Sequence, residues 1–197
     1  GNLHSVQKAC AHGGAAGRLV RTAAGIDRAK AVILPGVGAF GKAMHHLRRQ
    51  GLIRAVRRAA RSGRPFLGIC LGMQLLFEAS TEFGRHRGLA LLPGRVVPFP
   101  AGRKVPHMGW NRLSLHRPHR LLAGVPDGSH MYFVHSYHCE PSESEDVVAT
   151  TDYGGSVAAV VARGAVTGMQ FHPEKSQALG LRIYANLARW LTREGDR

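Results

Sequence analysis

The spacing of apolar and polar residues predicts three helical regions with a strand between the first two. Apolar side chains recur at helical intervals in residues 2–13, in the basic segment that ends at about residue 62, and in residues 176–191. A continuous apolar run at residues 31–34 predicts a buried strand instead, which Pro35 stops.

The second half of the chain changes to short apolar runs separated by turn residues, a pattern typical of strands and hairpins. The strands predicted there are residues 89–99, 105–113, 131–138, 147–151, 157–161 and 165–171. Strand–helix alternation followed by hairpins indicates an α/β fold class. We expect a mostly parallel central sheet with flanking helices, plus later antiparallel hairpins, in one domain that spans residues 1–197.

A strand followed by a helix is also predicted over residues 66–80, and the turn between them has the spacing of a nucleophile elbow. The turn reads Gly-Ile-Cys-Leu-Gly and puts Cys70 in the nucleophile's place. Gly68 and Gly72 fit, because so sharp a turn leaves no room for side chains two residues to either side. The thiol would stand at a helix N-terminus, where the dipole favours the thiolate. The competing interpretation is a buried structural cysteine, since most free cysteines are buried.

A base for such a nucleophile, and a group to orient the base, occur together late in the chain. His172 and Glu174 follow the predicted strand at 165–171 and point the same way if the segment is extended. Pro173 disfavours helix at His172 and so supports an extended conformation. A carboxylate beside the imidazole fixes its tautomer and stabilises its charged form. Taken alone, a His-x-Glu sequence is more typical of a histidine at a strand end followed by a surface glutamate. Together with the elbow at Cys70, it indicates a catalytic triad.

Residues 36–41 match the G-x-G-x-x-G pattern between a predicted strand and a predicted helix. A dinucleotide site also needs an acidic residue about 20 positions further on, to hold the ribose. The sequence has no Asp or Glu between Arg28 and Phe77, and no Gly-Lys-Ser/Thr follows as in a Walker loop. We therefore disfavour a nucleotide site. Glycine can instead let backbone N–H groups point into a cleft, where they bind an oxyanion.

The chain is strongly basic, with a net charge of +15 from 27 Lys and Arg against 12 Asp and Glu. Such a balance raises the expectation of a nucleic-acid partner. The basic residues are mostly arginines on helical segments, however, with few aromatic residues among them to stack on bases. In the basic helical segment Ile53, Val56 and Ala60 mark the inner face, and the arginines lie largely outside it. We interpret the charge as a solvated surface and expect no nucleic-acid partner.

The cysteines Cys10, Cys70 and Cys139 form no metal-type pair and cannot all be disulfide-bonded within one chain. This usage suggests a reducing compartment, and we expect a cytoplasmic protein. No apolar segment approaches the roughly 20 residues of a membrane span. We expect no metal, no cofactor and no membrane partner.

The elbow and the late His-x-Glu together resemble the class I (triad) glutamine amidotransferases, which release ammonia from glutamine. Further segments narrow the resemblance to the glutaminase subunits of imidazole glycerol phosphate synthase, in order along essentially the whole chain. They are residues 34–40 (LPGVGAF), 105–111 (VPHMGWN), 132–137 (YFVHSY) and 171–176 (FHPEKS). The elbow is shared with other amidotransferases, whereas the first two of these segments are specific.

The resemblance implies a role for each matching residue. Cys70 would attack the glutamine amide carbon and form a thioester, His172 would transfer protons, and Glu174 would orient His172. The backbone N–H groups of Val37 and Leu71 would form the oxyanion hole. The residues that would hold glutamine are Gly36, Gly38, Gln74, Ser136 and Tyr137.

The resemblance also implies a partner, a barrel-shaped cyclase subunit that receives the ammonia for histidine biosynthesis. Another class I amidotransferase, or a catalytically silent subunit that binds a partner, remain as alternatives. Members of this family begin with a short hydrophobic strand that has no counterpart before Gly1. We expect that strand in the interior of the sheet, and the chain to be less stable without it.

Overall fold

The computed structural model describes residues 3–195, with side chains through residue 192. Most of its helices lie within the predicted helical regions, but the helix at residues 23–28 was not predicted. Asn2, the predicted start of the first helix, lies outside the described residues. The helices are α1 (Leu3–His12), α2 (Ala23–Arg28), α3 (Phe40–Arg49), α4 (Ile53–Arg61), α5 (Leu71–Leu75) and α6 (Gln177–Gly195). None of them is long and apolar enough to cross a membrane.

The described strands form three sheets. They are β1 (Val32–Gly36), β2 (Phe66–Cys70), β3 (Ala79–Ser80), β4 (His86–Arg87), β5 (Gly94–Pro98), β6 (His107–Arg112), β7 (Ser114–Leu115), β8 (His130–His135), β9 (Tyr137–Pro141), β10 (Val147–Asp152), β11 (Ser156–Arg163) and β12 (Val166–Met169). The main sheet has the order β1-β2-β12-β11-β10-β7, a second sheet the order β4-β3-β5-β9, and β6 pairs with β8.

The main sheet confirms the α/β class with flanking helices, but it is mixed, and the expectation of a mostly parallel sheet is wrong. Only the pairings of β2 with β1 and with β12 are parallel; the other three are antiparallel. The antiparallel pairings of β11 follow from the short connections before and after this strand. Two residues, Gly164 and Ala165, join β11 to β12, and so short a link can only make an antiparallel hairpin.

Several predicted boundaries also differ from the structure. Strand β1 does not stop at Pro35 but continues to Gly36, which is tolerated because β1 is an edge strand and proline lacks only the outward N–H. The basic segment forms two helices, α3 and α4, separated by Gly51 at φ +66°. Helix α5 ends at Leu75, not near Ser80, because Ala79 and Ser80 pair into the second sheet.

The two faces of β2 pack against different helices. Leu67 and Ile69 belong to the apolar core that includes residues of α1 and α6. Phe66 belongs to the core that includes residues of α3 and α4. Alternate side chains of one strand therefore anchor both helical layers. All five residues of β2 are buried, as expected of a central strand.

The parallel part of the sheet brings the two predicted halves of the site together. In the register of β2 and β12, Ile69 is opposite Met169. Cys70 ends β2, and His172 follows β12 by three residues. Both therefore lie at the carboxyl edge of neighbouring parallel strands, the edge at which open α/β sheets place their sites.

Candidate active site

Cys70 sits on a strained turn whose shape requires both flanking glycines. Its backbone has φ 53° and ψ −111°, a region that L-residues rarely adopt. A Cβ added at Gly68 would lie 2.6 Å from the carbonyl oxygen of Gly72, and one added at Gly72 would clash with the carbonyl oxygen of Leu34. The tight turn predicted from the glycine spacing is therefore present, with the thiol at the start of α5.

His172 and Glu174 form a buried, hydrogen-bonded pair. Nδ1 of His172 lies 2.7 Å from Oε1 of Glu174, and both side chains are almost fully buried. The expectation of a fully extended segment is wrong for Glu174: only His172 is extended, and it caps a short 3-10 helix, Pro173–Lys175, which carries Glu174 back to the ring. The backbone N–H of His172 donates to the carbonyl oxygen of Tyr132 and holds the ring in place.

The charge state of His172 is set by its two neighbours. Burial alone lowers the pKa of His172, but the interactions with Cys70 and Glu174 outweigh burial and raise it to about 9. Nδ1 donates to Glu174, while Nε2 is buried and makes no hydrogen bond of normal geometry, although Cys70 is close enough to interact with the ring. With a pKa of about 9 the ring carries a positive charge at neutral pH.

Two polar groups approach the Cys70 sulfur from other elements. The thiol lies 3.8 Å from the carbonyl oxygen of Val134, and Nε2 of Gln170 lies 3.8 Å from Sγ. Gln170 in turn accepts a hydrogen bond from Nε2 of Gln74 at 3.2 Å, and the same nitrogen donates to the carbonyl oxygen of Tyr137 at 2.9 Å. Gln170 was not predicted from the sequence. Its position two residues before His172, on the same side of an extended segment, is the signal that could have found it.

The backbone groups predicted to bind the oxyanion lie at the ends of two paired strands. Gly36 of β1 is directly opposite Cys70 of β2. Val37 and Leu71 are therefore the first residues beyond that pair, and Leu71 begins α5. Gly38 has φ +91°, a conformation that suits glycine. The side chain of Val37 is 59% exposed, so this loop lies at the surface.

The residues predicted to hold glutamine lie on three parts of the chain, of which α5 and the start of β9 meet through the bond from Gln74 to the Tyr137 carbonyl oxygen. They are Gly36 and Gly38 in the loop after β1, Gln74 on α5, Ser136 between β8 and β9, and Tyr137 at the start of β9. Glu82 and Phe83, which were not predicted from the sequence, lie in the turn between β3 and β4. Glu82 accepts a hydrogen bond from the N–H of Phe40 at 2.5 Å, and the Phe83 ring stands 6.4 Å from that of Tyr137.

Access to the nucleophile is narrow. Only 6% of Cys70 is exposed, and Glu174 and His172 are buried as well. No group of three or more His, Cys, Asp or Glu side chains within residues 3–195 is arranged to hold a metal ion. The arrangement supports nucleophilic attack by sulfur, with proton transfer through an oriented imidazole.

Sequence comparisons identify relatives along nearly the whole chain. The family model described as glutamine amidotransferase class-I matches residues 14–187. A protein named imidazole glycerol phosphate synthase subunit HisH from Desulfitobacterium hafniense is 50% identical over 98% of this chain and 92% of its own length. Proteins of the same name from Moorella thermoacetica and Geobacillus kaustophilus are 49% and 50% identical over 100% of this chain, and over 93% and 95% of their own lengths.

Solved structures show the same fold at much lower identity. A crystal structure titled glutamine amidotransferase matches with a TM-score of 0.76 and 21% identity, over 98% of this chain and 95% of that one. A glutamine amidotransferase from Thermotoga maritima matches with a TM-score of 0.62 and 17% identity, over 82% and 78% of the two chains. These likenesses support the fold.

Proposed function

Because the chain belongs to the class I glutamine amidotransferases, and within them to the HisH subunits of imidazole glycerol phosphate synthase, we propose that Cys70, His172 and Glu174 carry out its glutaminase reaction. The protein is the glutamine amidotransferase subunit of that synthase, in histidine biosynthesis. The observation that carries the residue assignment is the buried His172–Glu174 pair next to a cysteine on a strained elbow.

In the first half of the reaction the Cys70 thiolate attacks the side-chain amide carbon of glutamine. A C–S bond forms, and the carbonyl electron pair moves onto oxygen. The imidazolium of His172 then gives its Nε2 proton to the departing nitrogen, the C–N bond breaks, and ammonia leaves a thioester on Cys70. Glu174 holds the ring through Nδ1 and stabilises its positive charge.

In the second half water hydrolyses the thioester. Neutral His172 takes a proton from the water, the hydroxide oxygen bonds to the acyl carbon, and the C–S bond breaks to release glutamate and the thiolate. Both tetrahedral intermediates carry negative charge on oxygen, which the N–H groups of Val37 and Leu71 stabilise. Each such donor contributes about 2.7–4 kcal/mol in a well-studied hydrolase.

Glutamine is held at the carboxyl edge by the loop after β1, by α5 and by the junction of β8 and β9. The residues proposed to bind it are Gly36, Gly38, Gln74, Ser136 and Tyr137. Both hydrogens of the Gln74 amide are used by Tyr137 and Gln170, which leaves Oε1 of Gln74 as the atom that faces substrate.

The partner subunit is proposed to dock on the outer side of β6. Met108 and Trp110 are large apolar side chains that are 61% and 47% exposed. Trp110 is paired with Tyr132 of β8, whose carbonyl oxygen holds the backbone of His172, so this surface lies one strand away from the triad. We propose that the barrel-shaped cyclase subunit covers it and takes up the ammonia, and that the complex works in the cytoplasm.

Contact with the partner is also proposed to switch on hydrolysis. The loop that carries Val37 is at the surface and rich in glycine, so its backbone has more than one state available. A partner that binds one of these states better would favour it and complete the oxyanion hole.

Ammonia release from glutamine tests the proposed function. The chain is assayed alone, with the cyclase subunit, and with the cyclase subunit plus its nucleotide substrate. We expect slow release by the chain alone and at least about tenfold faster release in the complete mixture, the gain of one transition-state interaction of about 1.4 kcal/mol. Complex formation with no hydrolysis would instead support a silent subunit, and full activity of the chain alone would refute the switching role.

Trp110→Ala tests the docking surface separately. We expect it to weaken binding of the cyclase subunit by about 30-fold, the effect of losing about 2 kcal/mol at an interface aromatic. Val20→Ala is the matched control, because Val20 is an exposed apolar residue that lies near α2, far along the chain from β6. Unchanged binding by Trp110→Ala would place the interface elsewhere.

A further inference from the structure

A pair of buried carboxamides connects the proposed nucleophile to the backbone of β9. Gln170 is completely buried and Gln74 nearly so. Their side chains contact each other, and the outer ends of the pair reach the Cys70 sulfur on one side and the Tyr137 carbonyl oxygen on the other. The roles proposed above for the triad, the oxyanion donors and the glutamine-binding residues do not use Gln170.

The orientation of both amides follows from the one end that cannot change. The Tyr137 carbonyl oxygen is an acceptor only, so the atom of Gln74 that faces it must be the NH2 group. The second hydrogen of that group points to Gln170, whose oxygen therefore faces Gln74. The NH2 group of Gln170 is left facing Cys70.

The sulfur thus lies between an acceptor and a donor. The Val134 carbonyl oxygen can accept a hydrogen bond from the protonated thiol, whereas it repels a thiolate. The Gln170 NH2 group does the opposite, because an N–H dipole attracts negative charge on sulfur. Helix α5 has only five residues, so its dipole is a weaker source of stabilisation than a fully formed helix would be.

We propose that Gln170 is a positioning residue for the nucleophile, which Gln74 orients so that its Nε2–H donates to the Cys70 sulfur and stabilises the thiolate. The inference rests on the proposed role of Cys70 and adds a residue to the machinery. It also gives Gln74 a second task, because the residue that faces glutamine also fixes the amide that faces sulfur. A site that binds glutamine is thereby linked to the ionisation of the nucleophile.

The test follows alkylation of Cys70 by iodoacetamide from pH 5 to 10 in the full chain, with the modified peptide quantified by mass spectrometry. Only the thiolate reacts, so the midpoint of the rate profile reports ionisation, and it does not depend on how easily the reagent enters. The other thiols do not interfere: burial raises the pKa of Cys10 to about 11, and burial and the nearby Cys70 raise the pKa of Cys139 well above its usual range.

In Gln170→Leu, which removes the donor at similar volume, we expect the midpoint to move up by about one pH unit. Alkylation below the midpoint then slows about tenfold, while the plateau rate is kept. Gln74→Leu leaves Gln170 in place without its anchor and should give a smaller shift in the same direction. A merely structural role would lower the melting temperature but leave the midpoint where it is.

Asn186→Leu is the matched control, because Asn186 is a buried amide on α6 whose nitrogen donates to the carbonyl oxygens of Leu121 and Ala123 and whose oxygen accepts from Arg189, none of which belongs to the elbow. It should cost stability and leave the midpoint unchanged. If the wild-type midpoint is low and neither Gln170→Leu nor Gln74→Leu moves it, the role proposed for Gln170 is wrong, while the role of Cys70 stands. A wild-type midpoint of an ordinary thiol, above about pH 8, would count against the role of Cys70 itself.

Discussion

Glu174 acts on His172 through a single oxygen. Oε1 accepts the hydrogen bond from Nδ1, while Oε2 is buried without a hydrogen-bond partner among the described residues. Desolvation of a carboxylate is costly, and here the imidazolium compensates for it. We therefore propose that Glu174 fixes and stabilises the ring and takes no part in bond making.

Glu174→Gln should therefore reduce turnover far less than His172→Ala. The amide oxygen can still accept from Nδ1, whereas loss of the ring removes the only proposed proton carrier. In a well-studied triad the orienting acid is worth roughly 50-fold less in kcat than its base. Steady-state glutamine hydrolysis of both variants in the complex measures this, with thermal melts to verify folding. Equal losses in two folded variants would contradict the division of roles.

The pH dependence of hydrolysis reports the charge on His172. Its pKa of about 9 means that the imidazolium needed to protonate the departing amide nitrogen is present at neutral pH and lost as the pH rises through about 9. The alkaline limb of kcat/KM should have its midpoint there. In Glu174→Gln the loss of the negative charge lowers the pKa of His172, so the limb should move to lower pH. A limb that stays in place would show that another group controls it.

Sequence alone could predict the tight turn at Cys70 and the pairing of His172 with Glu174, because each stands in a motif with a steric or electrostatic reason. Their catalytic roles stay a prediction. The position of Gln170 two residues before His172 could have drawn attention to it, but the contact of its amide with Cys70 could not be predicted, since Gln170 lies just beyond β12. Glu82 could not be predicted, because it meets Phe40 only where the turn after β3 folds back on α3. Contacts of this kind depend on tertiary structure.

At the scale of elements, the elbow holds β1, β2 and α5 together through close backbone contact. Gly72→Ala should destabilise the chain, because the new methyl group would meet the carbonyl oxygen of Leu34 and force α5 away from β1. Overpacking of this kind costs about 3 kcal/mol, which lowers the melting temperature by roughly 6–12 °C in a protein of this size.

Gly17→Ala is the control for that prediction. A Cβ there would lie 3.4 Å from that of Cys10, an ordinary contact, so little change is expected. Thermal melts of the two variants under one buffer make the comparison. Equal melting temperatures would mean that the turn can relax.

Strands β6 and β8 are linked by a chain of neutral histidines. His135 lies 2.9 Å from the Tyr137 carbonyl oxygen through Nδ1, so its Nε2 accepts from Nδ1 of His107, also at 2.9 Å. Nε2 of His107 then accepts from Asn111. Burial lowers the pKa of His107 to about 4 and the pKa of His135 to about 3.

The free energy of unfolding should fall as the pH drops below about 6.5, because the unfolded chain then binds protons that the two buried rings of the folded chain do not bind. The contribution of these histidines is complete above pH 6.5 and is lost towards pH 4, at up to about 1.4 kcal/mol per pH unit for each group. Urea midpoints from pH 4 to 7 measure it. His107→Gln removes one titrating ring, so its stability should fall less steeply with acid, and a slope equal to that of the wild type would contradict this account.

Periodicity predicted α1, α6 and most strands of the main sheet, because those elements bury a regular apolar stripe. It could not predict β3, β4 or β7, which have two residues each and exist only through pairing. Helix α5 ends earlier than predicted for the same reason, because Ala79 and Ser80 pair with β5. Elements that exist only through pairing with distant strands are thus the least predictable from local sequence.

At the scale of the whole molecule, a closed triad lies one strand beneath an exposed apolar surface. The net charge of +15 resides mostly on arginines outside the core, and several of them cap backbone carbonyls or pair with Asp27, Asp146 and Glu140. The expectation of no nucleic-acid partner stays a prediction. The position of Met108 and Trp110 could not be derived from their spacing, since β6 pairs with a strand far along the chain.

The most direct test of the account is ammonia release from glutamine by the partner-bound chain carrying Cys70→Ser, with Cys10→Ser as the matched control. Both changes replace a buried thiol by a hydroxyl, but Cys10 belongs to α1 and not to the elbow. We predict that Cys70→Ser abolishes hydrolysis while the fold and the complex persist, because the hydroxyl is far less ionised than the thiol, and that Cys10→Ser keeps most activity. Wild-type turnover by a folded Cys70→Ser complex would contradict the assignment of Cys70 as the nucleophile.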